Sequence, residues 1–582
     1  MLNIGVAKAD ITAFLKGAGM LGYGMYFNTM EAIETNLHAR AFVIESKNNK
    51  LVIVNCELAF ITVALKRGVL KMLKRHNAQL NVTDANLMLT AQHTHSSPGG
   101  YDHHGFYNTS IPGFCIEIYN KLVDGICKSI VNAHKNVMPG KVEFGKSVFE
   151  PEIPVAFNRS LRAYNKNEDV KPLEEKERHL AVDRNMYLLN FKDAKGQPIG
   201  SINWFGVHTT SISNDNNKVC FDNKGYAAEF LENDLGKENQ NYVAAFAQGI
   251  CGDISPKFNY NPNHKFQRGK WEGTSQNDFE SAKANGKFQY EKAKEILESE
   301  NENIDAQLDF KLMYFDASNV NVNSKYTNGK KNQKTGAACF GVSFLEGAKV
   351  DGPGMHPSIG WFSRRIANFF KVYESITQNF RKDELLSKYS IQGNKHIAIE
   401  AGENRVLFTK NIKKLVLPDF ADESIKTLKK FHRKNALGTK PWVNQVLPIQ
   451  IFLLGQVAIV GLPCEITTIA AKRLTASLQN QLNKKGITQI ILSPYANGYA
   501  GYITTYEEYQ EQMYEGGHTL FGKWTLAAFQ TKFDELIENW SDKNIDLRPL
   551  IFSEDEIDKR AFYVRAYYKK HQKNNAPISA LV

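Results

Sequence analysis

The sequence has few cysteines and no long apolar segment, and each absence excludes a class of protein. The seven cysteines among its 582 residues are scattered, without a Cys-x-x-Cys pair. This argues against a disulfide framework and against a cysteine zinc cluster. A transmembrane helix needs about 20 predominantly apolar residues, and no stretch approaches that length. No basic and apolar leader follows Met1, so no signal peptide is predicted and the compartment stays open.

Acidic residues are outnumbered by basic ones, 61 to 72, which gives a net charge of +11. Such a balance favours anionic partners, including the surface of a phospholipid membrane. The charge is dispersed, however, and the signatures of nucleic-acid-binding modules are missing, so we expect no nucleic-acid partner. Simple solvation of a large surface is the favoured explanation, and peripheral contact with an anionic membrane remains an alternative.

Short apolar runs and amphipathic segments predict an α/β fold with mixed β-sheets and flanking helices in one large catalytic domain. We place this domain at residues 1–540 and a short basic C-terminal extension at 541–582. The local predictions are hairpins at 41–54 and 449–460, helices over 61–76, 114–134 and 287–299, and a long surface loop over 257–285.

The stretch from Gln92 to Tyr101 carries two histidines where a predicted strand ends. His93 and His95 follow the apolar run Leu87-Met88-Leu89, and a Ser-Pro-Gly-Gly turn comes next. Alternate residues of an extended chain share a face, so both side chains are expected to reach one site.

Potential ligands also follow other apolar strands: His208, Ser255, Glu465 and Tyr502. In sheet proteins with helices, sites gather beyond strand ends. Two neutral histidines and an oxygen ligand with an open position suit a catalytic zinc ion. From spacing alone, metal binding and purely structural histidines are equal alternatives.

Several blocks resemble the neutral (non-lysosomal) ceramidase family, occur in the family's order and together span roughly residues 4–530. They are Gln92–Tyr101, Trp204–Ser211, Asp222–Ala227, Gly252–Pro256, Gly341–Phe344 with Asp351-Gly352, Tyr502–Tyr509 and Tyr514-Glu515-Gly516. The resemblance implies a zinc-dependent amidase that cuts the N-acyl bond of ceramide, a lipid substrate, to give sphingosine and a fatty acid.

The resemblance also assigns residues. It implies zinc ligands His93, His208, Glu465 and Tyr502, and a catalytic role for Ser255 that is either attack or substrate positioning. It further implies that His95 handles a proton or the substrate, that Arg159 lies near the pocket, that Tyr514 binds the developing oxyanion, and that the Gly22 backbone contacts the substrate headgroup.

Each assignment has a simpler alternative. His208 is otherwise a core histidine, Glu465 a helix N-terminal cap, and Tyr502 a packing residue. Ser255 is otherwise a residue that stabilises a turn, and Arg159 is a partner in a surface ion pair.

The sequence also departs from the family pattern. Ile250 and Lys257 stand where the family usually has Asn, and Ser97 replaces a common glycine. The family's C-terminal immunoglobulin-like domain, a fold of about 100 residues, is expected to be missing. These departures keep two alternatives to ceramide hydrolysis open, a hydrolase of another N-acyl lipid and a non-catalytic lipid-binding protein.

Overall fold

The computed structural model describes residues 2–111, 113–237, 241–263, 270–352, 354–377, 382–406, 423–433, 436, 438, 440–542 and 547–560. Two β-sheets pack face to face, and helices cover their outer faces. The predicted class, α/β with mixed sheets and flanking helices, is confirmed.

The strands are β1 (Leu2–Asp10), β2 (Met20–Leu21), β3 (Ala32–Ile33), β4 (His38–Glu45), β5 (Lys50–Cys56), β6 (Leu87–Ala91), β7 (Ser97–Pro98), β8 (Met138–Val148), β9 (Phe157–Asn158), β10 (Asn185–Asp193), β11 (Pro198–Phe205), β12 (Lys218–Val219), β13 (Val243–Gln248), β14 (Ile254–Ser255), β15 (Asn259–Asn261), β16 (Lys270–Glu272), β17 (Glu302–Asn303), β18 (Leu308–Asp316), β19 (Phe340–Gly341), β20 (Ile397–Glu400), β21 (Arg405–Val406), β22 (Val446–Leu454), β23 (Val457–Gly461), β24 (Glu465–Ile466), β25 (Gln489–Ser493) and β26 (Tyr502–Ile503).

The helices are α1 (Val63–His76), α2 (Ile116–Lys135), α3 (Leu161–Tyr164), α4 (Asp222–Leu235), α5 (Asp278–Glu298), α6 (Val342–Leu345), α7 (Pro357–Thr377), α8 (Lys382–Gln392), α9 (Glu423–Arg433), α10 (Thr468–Leu482), α11 (Tyr506–Gln510), α12 (Tyr514–Gly517), α13 (Thr525–Glu538) and α14 (Glu554–Arg560).

The larger sheet has the order β13-β11-β10-β8-β1-β4-β5-β6, with β17 added beside β8, and the smaller has the order β18-β22-β23-β25. Strand β4 shows why the sheets pack as they do. Phe42 and Ile44 join the core that the two sheets share, whereas Ala41 and Val43 join the core under α1 and α2. This two-residue alternation gives the strand two apolar faces, which suits a sheet covered on both sides. A hydrogen bond from Trp204 Nε1 to Ser493 Oγ (3.2 Å) also links the two sheets.

The carboxyl ends of three parallel strand pairs position the candidate ligands. Strands β5 and β6, β11 and β13, and β23 and β25 each run parallel. His93 follows β6, His208 follows β11, and Glu465 follows β23. Glu465 and Tyr502 are then register partners in the short parallel pairing of β24 with β26. Backbone pairing therefore places these two side chains next to each other.

The hairpins and the helices near 61–76 and 114–134 are confirmed. The predicted surface loop over 257–285 is wrong. Helix α5 begins at Asp278, nine residues before the predicted start, because the Asn277 side chain accepts hydrogen bonds from the amides of Phe279 and Glu280. An asparagine at this position satisfies N–H groups that lack helical partners. Strands β15 and β16 also lie in this stretch.

The described part of the C-terminal extension lies against the rest of the protein. The Phe552 side chain is 7% exposed, and Lys440 forms an ion pair with Glu556 at 2.7 Å. The basic residues after 560 lie outside the described residues. Within the described part of the chain, no helix combines the length and apolarity that crossing a membrane requires.

A buried ion-pair cluster stabilises the larger sheet against α4 and supplies a test of the fold. Arg40 contacts Glu57 Oε1 at 2.5 Å and Glu232 Oε1 at 2.8 Å, and its side chain is 2% exposed. Burial alone raises the pKa of Glu57, but Arg40 outweighs it and the pKa is lowered. The Glu57 carboxylate is therefore ionised in the folded protein.

Arg40→Met is expected to lower the free energy of unfolding by about 3–5 kcal/mol at pH 7, because it leaves buried carboxylates uncompensated. The control Arg162→Met removes an exposed pair with Glu511, and about 0–1 kcal/mol is expected. The pKa of Glu57 is lower in the folded protein than in the unfolded chain. The pair of Arg40 with Glu57 therefore stabilises the fold fully above the unfolded-state pKa of Glu57, and this stabilisation is lost as the pH falls through the folded-state pKa. Denaturant unfolding measures this: the free energy of unfolding of wild type should exceed that of Arg40→Met by a smaller amount as the pH falls. Equal losses in the two variants would contradict this role.

Candidate active site

Four polar side chains meet at the strand ends in a space closed to solvent: those of His93, His208, Glu465 and Tyr502. Each is at most 3% exposed. Glu465 Oε2 lies 3.1 Å from His208 Nε2 and 3.6 Å from His93 Nε2. The Tyr502 hydroxyl oxygen lies 3.4 Å from His208 Nε2. The four residues that the sequence assigned as ligands are thus brought together.

These separations fit a metal ion. Nitrogen and oxygen ligands held tetrahedrally at about 2.0–2.1 Å lie about 3.3 Å from one another. The three distances bracket that value. Glu465 Oε2 is also buried without a well-formed hydrogen bond, a costly arrangement unless a cation offsets it. Two imidazoles and a carboxylate are ordinary zinc ligands, whereas a tyrosine oxygen as a fourth protein ligand is unusual for a catalytic site.

Neighbouring groups orient the ligand atoms towards this centre. His93 Nδ1 lies 2.6 Å from the Ala59 carbonyl oxygen, and His208 Nδ1 lies 2.7 Å from that of Cys251. Protonation of Nδ1 in each ring leaves the Nε2 lone pair facing Glu465. The Tyr499 hydroxyl donates to Glu465 Oε1 (2.5 Å), which leaves Oε2 directed at the histidines. Such outer contacts fix the tautomer and orientation of metal ligands.

The charges agree with a cation site. Burial opposes ionisation of Glu465, but His93 and His208 outweigh it and hold its pKa well below the usual value. Burial lowers the pKa of His93 to about 4, so that ring is neutral near pH 7. Burial and Arg159 lower the pKa of His208, yet Cys251 and Glu465 raise it to about 10. A metal ion would take the position of that proton.

His95 lies beside the ligands, but not for the expected reason. His93 and His95 reach one site as predicted, but the reason is not an extended chain, because β6 ends at Ala91 and His93 has φ +75°. This left-handed conformation is strained for a non-glycine residue and is common at functional sites. His95 Nε2 still lies 3.0 Å from His93 Nε2. Its Nδ1 is buried without a hydrogen-bond partner.

Gly22 lies against His95. It has φ +137°, and a Cβ atom there would lie 2.5 Å from the His95 ring. Only glycine therefore allows the loop to pass this closely. The Tyr23 and His95 rings pack in a T-shaped arrangement, with 4.6 Å between ring centroids. The Gly22 loop fixes the position of His95 at the edge of the site.

A second group of side chains is centred on Asp351, which the sequence analysis did not assign to the site. Asp351 Oδ1 accepts hydrogen bonds from Ser255 Oγ (2.7 Å) and Thr210 Oγ1 (2.6 Å). Its Oδ2 lies 2.6 Å from Arg159 Nη1. Burial favours the neutral acid, but Arg159 and other cations lower the pKa of Asp351, so it is a carboxylate.

Arg159 connects this group to the metal ligands. Its guanidinium contacts Glu515 Oε1 at 2.9 Å and donates to the Tyr502 hydroxyl at 3.0 Å. The side chain is 4% exposed, so the alternative of a surface ion pair is excluded. Tyr514 lies alongside, with its ring 5.6 Å from the Arg159 guanidinium carbon.

Another residue performs the capping role that was the alternative for Glu465. Asp253 Oδ1 accepts from the Thr468 amide at 2.9 Å, at the first residue of α10. Glu465 is therefore not needed as a cap. The alternative role of Ser255, a turn residue, is met in part, since its Oγ also accepts a hydrogen bond from the Lys257 amide at 3.1 Å.

Comparison with known proteins identifies the family. A family described as neutral/alkaline non-lysosomal ceramidase, N-terminal, matches residues 2–420 and 423–531. This chain belongs to the neutral ceramidase family. A neutral ceramidase of Pseudomonas aeruginosa is 33% identical over 536 residues, which cover 92% of this chain and 71% of that protein. Neutral ceramidase A of Dictyostelium discoideum is 30% identical, with 93% and 73% covered.

Solved structures agree. The crystal structure of the neutral ceramidase from Pseudomonas aeruginosa has a TM-score of 0.74 and 31% identity, and the match covers 95% of this chain and 76% of that one. A ceramidase complexed with C2 has a TM-score of 0.76 and 32% identity, with 95% and 77% covered. The resemblance inferred from the sequence blocks is confirmed.

Two residues that the sequence analysis did not assign, Tyr499 and Asp351, shape the candidate site. The sequence did contain a signal for Asp351, which stands in the matching pair Asp351-Gly352. The sequence contained no such signal for Tyr499, since its role depends on a contact with Glu465.

Lys257, which departs from the family pattern, also lies at this site. Its Nζ is buried and lies 2.8 Å from Ser213 Oγ and 3.4 Å from the Asp351 carbonyl oxygen.

Tyr499→Phe is expected to weaken metal binding about 10–100-fold, the usual effect of removing an outer contact to a ligand. Competition titration with a chromogenic chelator measures this directly. The control Tyr326→Phe removes a hydroxyl that bonds Asp534, away from the site, and should leave affinity unchanged. Equal affinities in both variants would remove Tyr499 from the support of Glu465.

Proposed function

We propose that this chain hydrolyses the N-acyl amide bond of ceramide to sphingosine and a free fatty acid, with zinc held by His93, His208, Glu465 and Tyr502. The observation that supports this most directly is the ionised, buried Glu465, whose Oε2 lacks a hydrogen-bond partner and faces two imidazole nitrogens. The relatives named neutral ceramidase, and the related structure of a ceramidase complexed with C2, support the choice of substrate.

When bound, zinc would supply Lewis-acid chemistry, polarising the amide carbonyl and acidifying water. The protein's own groups do the rest. Arg159 positions Tyr502 through a hydrogen bond and does not itself need to contact substrate, because its donors also engage Asp351, Glu515 and the Gly252 carbonyl. In this proposal His95, whose Nε2 lies 3.0 Å from His93 Nε2, exchanges a proton with the substrate or water. Tyr514 stabilises the negative charge that develops on the substrate oxygen.

Ser255 in this proposal is a positioning residue. A serine nucleophile needs an adjacent base, and the group that accepts its hydrogen bond is Asp351. Arg159 lowers the pKa of Asp351, which makes the carboxylate a weak base. The serine hydroxyl thus helps to hold Asp351, and with it Arg159, in place.

Purified protein is expected to contain one zinc ion and to release labelled fatty acid from a short-acyl ceramide. Chelation should abolish turnover, and zinc should restore it. His93→Ala should lose turnover and zinc while keeping its circular dichroism spectrum. The control His76→Ala changes an exposed residue at the end of α1 and should behave as wild type.

The same assay separates the alternatives. Stoichiometric zinc with hydrolysis of other N-acyl lipids but not ceramide would favour a different substrate, for which buried Lys257 beside Asp351 offers a reason. Zinc binding without any turnover would favour a lipid-binding protein. Absence of bound zinc would overturn the hydrolase proposal.

Ser255→Ala is expected to lower kcat about 10–100-fold without abolishing it, as for other outer-contact losses. Mass spectrometry of quenched wild-type reactions should show no acyl adduct on Ser255. Ser318→Ala, in a remote turn, serves as the control. An acylated Ser255 peptide would make the serine a nucleophile.

A further inference from the structure

Helix α7 carries its apolar side chains on the outside. Its bulky residues are exposed to an extent unusual for their type, between 46% and 68%: Ile359, Trp361, Phe362, Phe369, Tyr373 and Ile376. A helix on a protein surface normally turns such residues inwards and its charges outwards.

The helical repeat shows that this outward face is continuous. At 100° per residue, Phe362, Phe369 and Ile376 fall on one line, with Trp361 and Tyr373 on either side. The buried residues Ala367 and Glu374 lie on the opposite face. The apolar arc is therefore centred opposite the side by which α7 packs on the protein.

The charges of α7 follow the same division. Glu374, the one acidic residue in this helix's sequence, is buried and contacts Arg405 Nη2 at 2.6 Å and Lys388 Nζ at 3.1 Å. Arg365 lies on the outward side, with its guanidinium carbon 4.9 Å from the centroid of the Trp361 ring. Arg364 and Lys371 fall towards the packed side of the helix, and Arg364 is compensated by Glu346. The outward side of the helix is thus apolar, with the basic residue Arg365 and without a carboxylate.

A cleft of about 520 Å³ lies under α7 and adds to this basic character. Its wall includes Arg162, Arg364 and Lys371. Glu511 also lines it and contacts Arg162 at 2.9 Å, so part of the positive charge is compensated.

The helix is joined to the active site by a short segment. Only five residues separate Asp351, which holds Ser255 and Arg159, from the start of α7. The base of this segment is fixed on α6, where the Met355 amide donates to the Leu345 carbonyl at 2.7 Å. Phe344 of α6 lies 6.0 Å from the Tyr514 ring, between ring centroids.

A second apolar feature lies on the other side of this segment. Gly352 faces the Tyr23 ring, and Tyr23 rests on His95. The loop that contains Tyr23 continues into Tyr26 and Phe27, which are 57% and 51% exposed. Exposed aromatic side chains therefore lie on both chain segments that lead away from the site.

We propose that α7 is a membrane-docking helix that lays its apolar face into the surface of a bilayer containing anionic phospholipid. Aromatic and aliphatic residues on one face, with basic residues and no exposed carboxylate in this helix, are the features of helices that lie in the bilayer interface. Tryptophan and tyrosine favour that depth. The inference rests on the proposed function in one respect: a ceramide with two apolar chains resides in a bilayer.

The test uses the double variant Phe362→Gln/Phe369→Gln in the full chain. Glutamine keeps helix propensity and both side chains point outwards, so the fold should be retained. The matched control is Val148→Gln/Ile551→Gln, which changes two other apolar residues, 56% and 63% exposed. Flotation with vesicles of phosphatidylcholine and phosphatidylglycerol, without ceramide, measures docking alone.

We expect the α7 variant to partition into these vesicles at least 10-fold less than wild type, whereas the control matches wild type. Hydrolysis of long-chain ceramide in the vesicles should fall in parallel, and hydrolysis of soluble short-acyl ceramide should not change. Equal partitioning of the α7 variant and wild type would overturn the proposal. A second result would also overturn it: wild type is a dimer, the α7 variant is a monomer, and both bind vesicles equally. That result would make α7 a contact with a second copy of the chain.

The two proposals fail in different ways. If the proposed function is wrong, wild type will not hydrolyse soluble short-acyl ceramide, but the flotation result still decides the role of α7. If docking is wrong, soluble substrate is cleaved and flotation of the two proteins is the same.

Discussion

The structure is organised around the Glu465 carboxylate, whose hydrogen-bonding capacity the protein does not fully use. Glu465 is ionised and buried, one oxygen accepts from Tyr499, and the other faces two imidazole nitrogens without a well-formed hydrogen bond. An isolated charge in such surroundings is costly. The surrounding residues orient ligand atoms towards this oxygen, and its charge is offset either by a protonated His208 ring or by a metal ion in its place. The positions of His93, His208 and Tyr502 depend on this constraint.

The fold meets that constraint by directing strand ends from two sheets to one place. Parallel pairs in the larger and the smaller sheet end beside each other, and the loops that follow them supply the ligands. Several of these loops contain non-glycine residues with positive φ, including His93, Tyr495 and Asn497. Such conformations cost free energy and persist where surrounding structure determines them. The two packed sheets supply that rigidity.

A single chain segment connects the candidate active site to the proposed docking helix. It begins at α6 beside Tyr514, passes Asp351 at the centre of the Ser255 and Arg159 contacts, and continues into the outward apolar face of α7. In the proposed docking, the short distance along the chain between α7 and the site suits a lipid whose chains avoid water. The same segment also explains why Asp351 is buried, since it is fixed between Arg159 and Lys257.

The sequence by itself determined the α/β class, the main hairpins, the family and the four candidate ligands, because strand alternation and family blocks are local properties. It did not determine the early start of α5, which depends on one capping side chain, Asn277, or the left-handed backbone of His93. Tyr499 and Asp351 were decided only by tertiary structure, because each acts through a partner distant in the chain. The outward face of α7 was likewise hidden, since periodicity reveals that a helix has an apolar face but not which side packs on the protein. Contacts between distant residues decide that, and they exist only after the sheets have packed.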